Sequence, residues 1–242
     1  METVKNKPSI VLVGKGRIGL ALSEELTANG LNFQHARIDC LKGLFFPDDD
    51  FISSIQVLVI CISARQKSKQ GPSWSWHQIF EGLSAQIAAG KLVVQNLIFV
   101  SSTRVYEAID KQIVNAKTSP KTHSEGGEGL AVAENILLRA VNNTYIMRCS
   151  GLYGDLYPVY TPILLSGKEK ARFGIDAAEV VSKLAQLVKS AIYQDLQKTI
   201  ALLTDTFVYY EGACLNWEKD FSQIKKLSRT FRILQDSVYL PK

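Results

Sequence analysis

Three glycines set the first chemical constraint. Gly14-x-Gly16-x-x-Gly19 follows the apolar run Ile10 to Val13 and leads into Ile18, Leu22 and Leu26 at helical spacing. Between a strand and a helix, each glycine has a separate task. Gly14 permits the tight turn, Gly16 lets the backbone approach a pyrophosphate, and Gly19 lets the helix pack close to the strand. The helix start, at Arg17 and Ile18, offers unpaired N–H groups and a partial positive charge to phosphate. A dinucleotide suits this arrangement; the plain alternative is a glycine-rich turn with no ligand. Counting on from Gly30 puts the tip of the next strand near Arg37. With Lys15 and Arg17 close in sequence, an arginine there suits the extra phosphate of NADP, whereas an acidic residue would suit NAD. NADP is therefore preferred, and Asp39 keeps NAD as the alternative.

These residues need a scaffold to hold them. Val57–Ile62 and Leu97–Val100 read as further buried strands, rich in β-branched residues, and Asn32–Ala36, Tyr145–Met147 and Ile200–Leu203 as shorter ones. His77–Lys91, Leu130–Val141 and Val180–Ile192 carry apolar residues at helical spacing. Strands alternating with helices predict an α/β fold, a parallel sheet covered on both faces. No repeat, low-complexity tract or Pro/Gly-rich linker divides the chain. The most irregular stretch runs from Ser150 to Gly174.

Composition narrows the function classes. With 242 residues, 46% hydrophobic and 21% charged, the chain can bury a sizeable core and is not disordered. The net charge of +5 could attract an anionic ligand, but no recurrent Lys/Arg block argues for nucleic acid. Lys225, Lys226, Arg229 and Arg232 read as a solvated helix face. Cys40, Cys61, Cys149 and Cys214 form no metal-ligand spacing, so no metal is expected. Reduced thiols, no apolar stretch of membrane-spanning length and no signal sequence make a cytoplasmic protein without a membrane partner the expectation.

Four segments, in order, resemble the extended and atypical short-chain dehydrogenase/reductase superfamily, the NAD-dependent epimerase/dehydratase group. They are the glycine loop, Leu97–Glu107 (LIFVSSTRVYE), Arg148–Gly154 (RCSGLYG) and Arg172–Asp176 (RFGID) followed by Ala-Ala-Glu-Val-Val. The resemblance implies a Rossmann-type doubly wound sheet as a single domain over 1–242, its core about 8–150, with a small C-terminal substrate lobe from about 151–242. It implies an oxidoreductase or epimerase-like enzyme acting on a small hydroxyl, carbonyl or sugar-type substrate. Ser102, with Thr103 beside it, falls where the family's hydroxyl orients the substrate oxygen. Ser101 lies on the same strand end beside the nicotinamide, and Ser63 and Ala64 would lie near the adenosine ribose and pyrophosphate. A homodimer through Trp76–Lys91 and Ser124–Val141 is expected by the same analogy. Trp74 and Trp76 read as packing against the helix that follows them.

One family feature is missing. Where the group typically has Ser-Glu-Tyr-Gly-x-x-Lys-x-x-Ala-Glu, this chain has Ser124-Glu-Gly-Gly-Glu-Gly-Leu-Ala-Val-Ala-Glu134. Gly126 replaces the tyrosine that moves the proton and Leu130 the lysine that lowers its pKa. His123 is the best replacement acid–base residue, because an unperturbed imidazole titrates near neutrality. Tyr106 and Tyr153 are further candidates, and Glu134 reads as solvated. The rival reading is a dinucleotide-binding protein without catalysis, a redox sensor or regulatory module; a third is a structural domain that binds no dinucleotide.

Overall fold

The computed structural model describes residues 9–39, 43–45, 53–62, 76–106, 113–157, 172–194, 196–203, 207–210, 213–216, 232–233 and 236–239. The large sheet is assembled from β1 (Ile10–Val13), β2 (Phe33–Asp39), β3 (Gly43–Phe45), β4 (Ser54–Ile60), β5 (Val93–Ser102), β7 (Asn143–Cys149), β10 (Thr199–Leu203) and β14 (Asp236–Tyr239). Their spatial order is β14-β10-β7-β5-β4-β1-β2-β3. The six inner strands are parallel, and the edge strands β3 and β14 are antiparallel to their neighbours. This is the α/β doubly wound arrangement that the alternating sequence pattern predicts.

Apolar side chains alternate between two covering layers. Ile10, Leu12, Val57, Val59 and Ile98 bury one face against Leu22 and Leu26 of α1 (Arg17–Ala28) and Val180, Leu184 and Val188 of α4 (Ala177–Tyr193). Val11, Val13, Leu58, Ile60, Leu97 and Phe99 bury the other against Phe80 and Leu83 of α2 (Trp76–Ala88) and Leu130, Ala133 and Leu137 of α3 (Glu125–Ala140). Both faces are dry, which explains why these strands read as continuous apolar runs rather than alternating ones.

Polar groups fix the helices at chosen points. The Ser124 hydroxyl accepts from the Gly127 N–H and starts α3; Asp176 accepts from the Ala178 N–H at 2.8 Å and starts α4. The Gln86 side chain of α2 reaches β3, accepting from the Leu44 N–H at 2.9 Å and donating to the Leu44 carbonyl at 3.0 Å. Buried Asn96 donates to the Ala191 carbonyl and accepts from the Leu196 N–H, tying the end of α4 to the sheet.

A second sheet of four strands has the order β12-β11-β9-β8, from β8 (Gly151–Tyr153), β9 (Arg172–Asp176), β11 (Phe207–Tyr210) and β12 (Ala213–Asn216). A third joins β6 (Ile113–Val114) to β13 (Arg232–Ile233). The chain beyond residue 150 thus contributes both to this small sheet and, through α4, β10 and β14, to the large one. No helix among the described residues is long and apolar enough to cross a membrane.

Candidate functional site

The chain runs from β1 outward to β2 in one direction and later from β4 to β5 in the other. Between the C-terminal ends of β1 and β4 the connections therefore diverge, leaving the crevice in which doubly wound sheets bind ligands. The glycine loop lies there. Gly14 has φ +110°, and a Cβ on it would overlap the Cys61 carbonyl at the end of β4. A Cβ on Gly19 would overlap the Gly14 carbonyl. Gly16 differs, for a Cβ there meets nothing within 4 Å. It is the N-cap residue of α1, and no side chain caps that helix. Two glycines thus close the turn, and the third faces open space beside the first-turn amides. The residues present fit a pyrophosphate.

Basic side chains flank this cradle. The Arg17 guanidinium stacks on the Tyr157 ring, 4.9 Å from its centroid, and so joins the glycine loop to the segment after β8. Arg37 is exposed on β2, one residue past Ala36, which pairs with Val13 at the end of β1. Beneath the loop, the His35 Nε2 lies 3.3 Å from the Ser23 hydroxyl, which itself donates to the Gly19 carbonyl. Burial, with help from Lys15, lowers the His35 pKa, and the Leu12 backbone opposes the shift. Burial also pushes the Cys61 thiol up to about 12 and the Cys149 thiol higher still, which disfavours the thiolate in both.

The strand end after β5 separates three neighbouring hydroxyls. The Ser101 hydroxyl is buried and donates to Glu134 Oε1 at 2.5 Å. The Ser102 hydroxyl is partly exposed and accepts from the Arg104 backbone N–H at 3.3 Å. Thr103 is buried where the 3-10 turn Thr103–Tyr106 begins. Of the three residues, Ser102 alone is partly exposed. His123 is exposed just before the α3 cap.

Glu134 corrects the solvated reading. It is only 2% exposed and forms an ion pair with Arg148 of β7, Nη2 to Oε2 2.6 Å, supported by two bonds of 3.1 Å from Nε. Arg148 also donates to the Tyr106 hydroxyl, which donates to the Asn115 carbonyl at 3.0 Å. Burial alone would lower the Arg148 pKa, but Glu134 and Tyr106 raise it above its ordinary value. Tyr106 is fully buried in this network, which removes it from the candidates for proton transfer at the surface of the site. The sequence does carry a signal for Glu134: it falls on the stripe Leu130, Ala133, Leu137 that faces the sheet.

The two replaced positions behave differently. Leu130 is buried in the core under α3. Gly126 lies against Arg104: a Cβ there would sit 2.9 Å from the Arg104 Nη1 and 3.1 Å from its Cζ. Sequence reasoning did not single out Arg104, since nothing in its pattern shows that its side chain lies over the start of α3. Ser63, Ala64, Trp74, Cys40 and the Lys225–Arg229 cluster lie outside the described residues, as do the side chains of Trp76, Cys214 and Arg232. Among the described residues, no group of three His, Cys, Asp or Glu side chains is placed to hold a metal ion.

No family model matches the chain, and no curated protein matches it. Solved structures do. The UDP-N-acetylglucosamine 4-epimerase from Bacillus cereus is 13% identical, with 94% of this chain and 89% of that chain covered and a TM-score of 0.61. TunA, an NAD-dependent NDP-hexosamine 5,6-dehydratase involved in tunicamycin biosynthesis, is 15% identical over 95% of this chain and 84% of its own, with a TM-score of 0.61. MoeE5, solved in complex with UDP-glucuronic acid and NAD, is 16% identical over 96% and 87%, with a TM-score of 0.58. At these identities the likeness is one of fold.

Proposed function

We propose that this chain binds a nicotinamide dinucleotide at the C-terminal edge of its large sheet and works as an epimerase/dehydratase-like oxidoreductase on a small hydroxyl, carbonyl or sugar-type ligand. One observation carries the reading: Gly14 and Gly19 leave no room for a side chain, while Gly16 opens onto the uncapped N-terminus of α1. Proteins of similar fold bind NAD and nucleotide-sugars, which supports the same ligand class here.

In this reading the glycine loop and the amides of Arg17 and Ile18 hold the pyrophosphate, and Arg37 lies beside the adenosine ribose, where it favours NADP. By the family resemblance Ser63 and Ala64 would serve the adenosine side of the cofactor, and Ser101, whose hydroxyl is turned to Glu134, would lie behind the nicotinamide rather than bond it through its side chain. The dinucleotide, when bound, supplies hydride chemistry. Ser102 orients the ligand oxygen, with Thr103 supporting the turn, and His123, exposed just before α3, serves as the acid–base residue. The Glu134–Arg148 pair holds α3 against β7 and so keeps the two sides of the site in register.

A second reading, a dinucleotide-binding protein without turnover, is favoured by one feature: position 130 is a core leucine and position 126 carries no side chain. Calorimetric titration with NADPH and NADH tests both readings at their root. Binding, with NADPH tighter, is the expected result. If neither binds at millimolar concentration, both readings fail. If binding is found but no carbonyl or sugar panel is turned over, the second reading stands.

A further inference from the structure

We propose that the Ser150 hydroxyl is a cofactor-binding group, kept for the carboxamide of the nicotinamide ring. The inference rests on the dinucleotide reading above and deepens it by naming the side chain that takes the far end of that ligand.

Ser150 follows the last residue of β7 and is only 4% exposed. Its N–H donates to the Leu203 carbonyl at 3.0 Å, which carries the pairing of β7 with β10 one residue past Cys149. The pleat of β7 therefore still holds at this residue. Met147 and Cys149 pack in the layer of α1 and α4, and Arg148 turns the other way, to Glu134 of α3. Alternation places the Ser150 side chain on the Arg148 face, one step nearer the C-terminal ends of the strands. Its Oγ is buried there, with no hydrogen-bond partner among the described residues.

Its polar neighbours along the strand ends are engaged. Ser101 donates to Glu134, Arg148 serves Glu134 and Tyr106, and the Ser102 hydroxyl accepts from the Arg104 N–H. A buried hydroxyl without a partner carries a cost that an alanine would avoid, and a ligand that completes the bond removes it. Position in the sheet indicates which part of the ligand that is. With the pyrophosphate on the glycine loop after β1, Arg37 on β2 marks the adenosine side. In the other direction the order runs β4, β5, β7, and the second mononucleotide half of a doubly wound sheet lies there. A carboxamide offers an acceptor oxygen and two N–H donors, and a hydroxyl can pair with either. The hydroxyl is covered in the free chain, so the ring reaches it by displacing what covers it.

The test titrates NADH, NADPH and ADP-ribose, which lacks the nicotinamide, into the full wild-type chain and Ser150→Ala. The variant is expected to bind both dinucleotides about three- to tenfold more weakly, the size of one neutral hydrogen bond, and ADP-ribose unchanged. Its melting temperature is expected to equal or exceed that of wild type, since an unpartnered hydroxyl has been removed. Unchanged dinucleotide affinity, or an equal loss for ADP-ribose, overturns the proposal. A lower melting temperature with unchanged affinity also overturns it and assigns the hydroxyl to a water held inside the fold. If neither the dinucleotides nor ADP-ribose bind wild type, the cofactor reading itself fails, and this proposal with it.

Discussion

Arg148 of β7 and Glu134 of α3 form a buried ion pair, Nη2 to Oε2 2.6 Å, in which each side chain is at most 3% exposed. The pair stands between the sheet and the helix that carries Gly126, with Ser101 and Tyr106 completing its hydrogen bonds. Removing one charge leaves the other buried without its partner, which costs about 3–5 kcal/mol, whereas replacing both by apolar side chains costs far less. Glu134→Leu is therefore expected to lose about that much in urea unfolding, and Glu134→Leu with Arg148→Met to be more stable than Glu134→Leu alone. Strictly additive losses would show that the two side chains are not coupled.

The glycine loop separates packing from binding. Gly19→Ala forces a methyl group into the Gly14 carbonyl and is expected to cost about 1–3 kcal/mol in stability. Gly14→Ala adds a strained backbone to the same kind of overlap. Gly16→Ala meets open space at φ −81°, ψ −176°, a conformation any residue adopts. It should leave the melting temperature unchanged and weaken NADH and NADPH in calorimetry. Intact dinucleotide affinity in Gly16→Ala would place the pyrophosphate elsewhere.

Acid should destabilise the protein through His35. Its folded pKa lies below the ordinary 6.5, because burial and Lys15 oppose the imidazolium. The unfolded chain therefore binds the proton first. The contribution of neutral His35 is complete above about pH 6.5 and is lost as the pH falls from there to the folded value. Denaturant titrations between pH 7.5 and 5 should show this loss in wild type and a flatter profile in His35→Gln. An identical slope in both would assign the acid sensitivity to other groups.

The two thiols at the base of the crevice, Cys149 buried and Cys61 half-buried, give a labelling pattern. Cys61, raised to about 12, and Cys149, raised further, present almost no thiolate at pH 8. Iodoacetamide followed by peptide mass spectrometry should modify them only after denaturation. Fast native labelling of either would mean that the base of the crevice opens.

The parts of the fold that the sequence reveals are those stabilised locally. The β1–loop–α1 unit, β4, β5 and α4 announce themselves through continuous apolar runs and a 3.6-residue period. The start of α3 does not: the pattern begins at Leu130, but the helix begins at Glu125, because Gly126, Gly127 and Gly129 have poor helix propensity and only the Ser124 cap and packing hold that turn. Strands β3, β8 and β9 are three to five residues long, too short to show a period. In the small sheet β11 and β12 form a local hairpin, but β9 pairs with β11 across a long separation, as Val208 does with Phe173.

Within the candidate site, the glycine turn was legible as a turn, since Gly14 and Gly19 stand where a side chain has no room, and so was the position of Ser101–Thr103 where β5 ends. The Arg104–Gly126 contact was not. It joins two elements some twenty residues apart, and an arginine in a turn carries no mark of where its flexible side chain settles. Glu134 was legible in principle from its place on an apolar stripe. A carboxylate there has to be paired, and Arg148 was already in view.

The contact between Gln86 and Leu44 has a consequence for how the molecules behave in a crowd. β3 ends the large sheet, and an edge strand offers its outward N–H and C=O groups to any extended chain that passes. Here both groups at Leu44 are held by one side-chain amide, which acts as a strand one residue long. At Leu44 this edge of the sheet is thereby closed to pairing with a second molecule. Gln86→Leu keeps the helix and much of the packing but reopens that seam, and light scattering of the concentrated variant is expected to show more self-association than the parent protein.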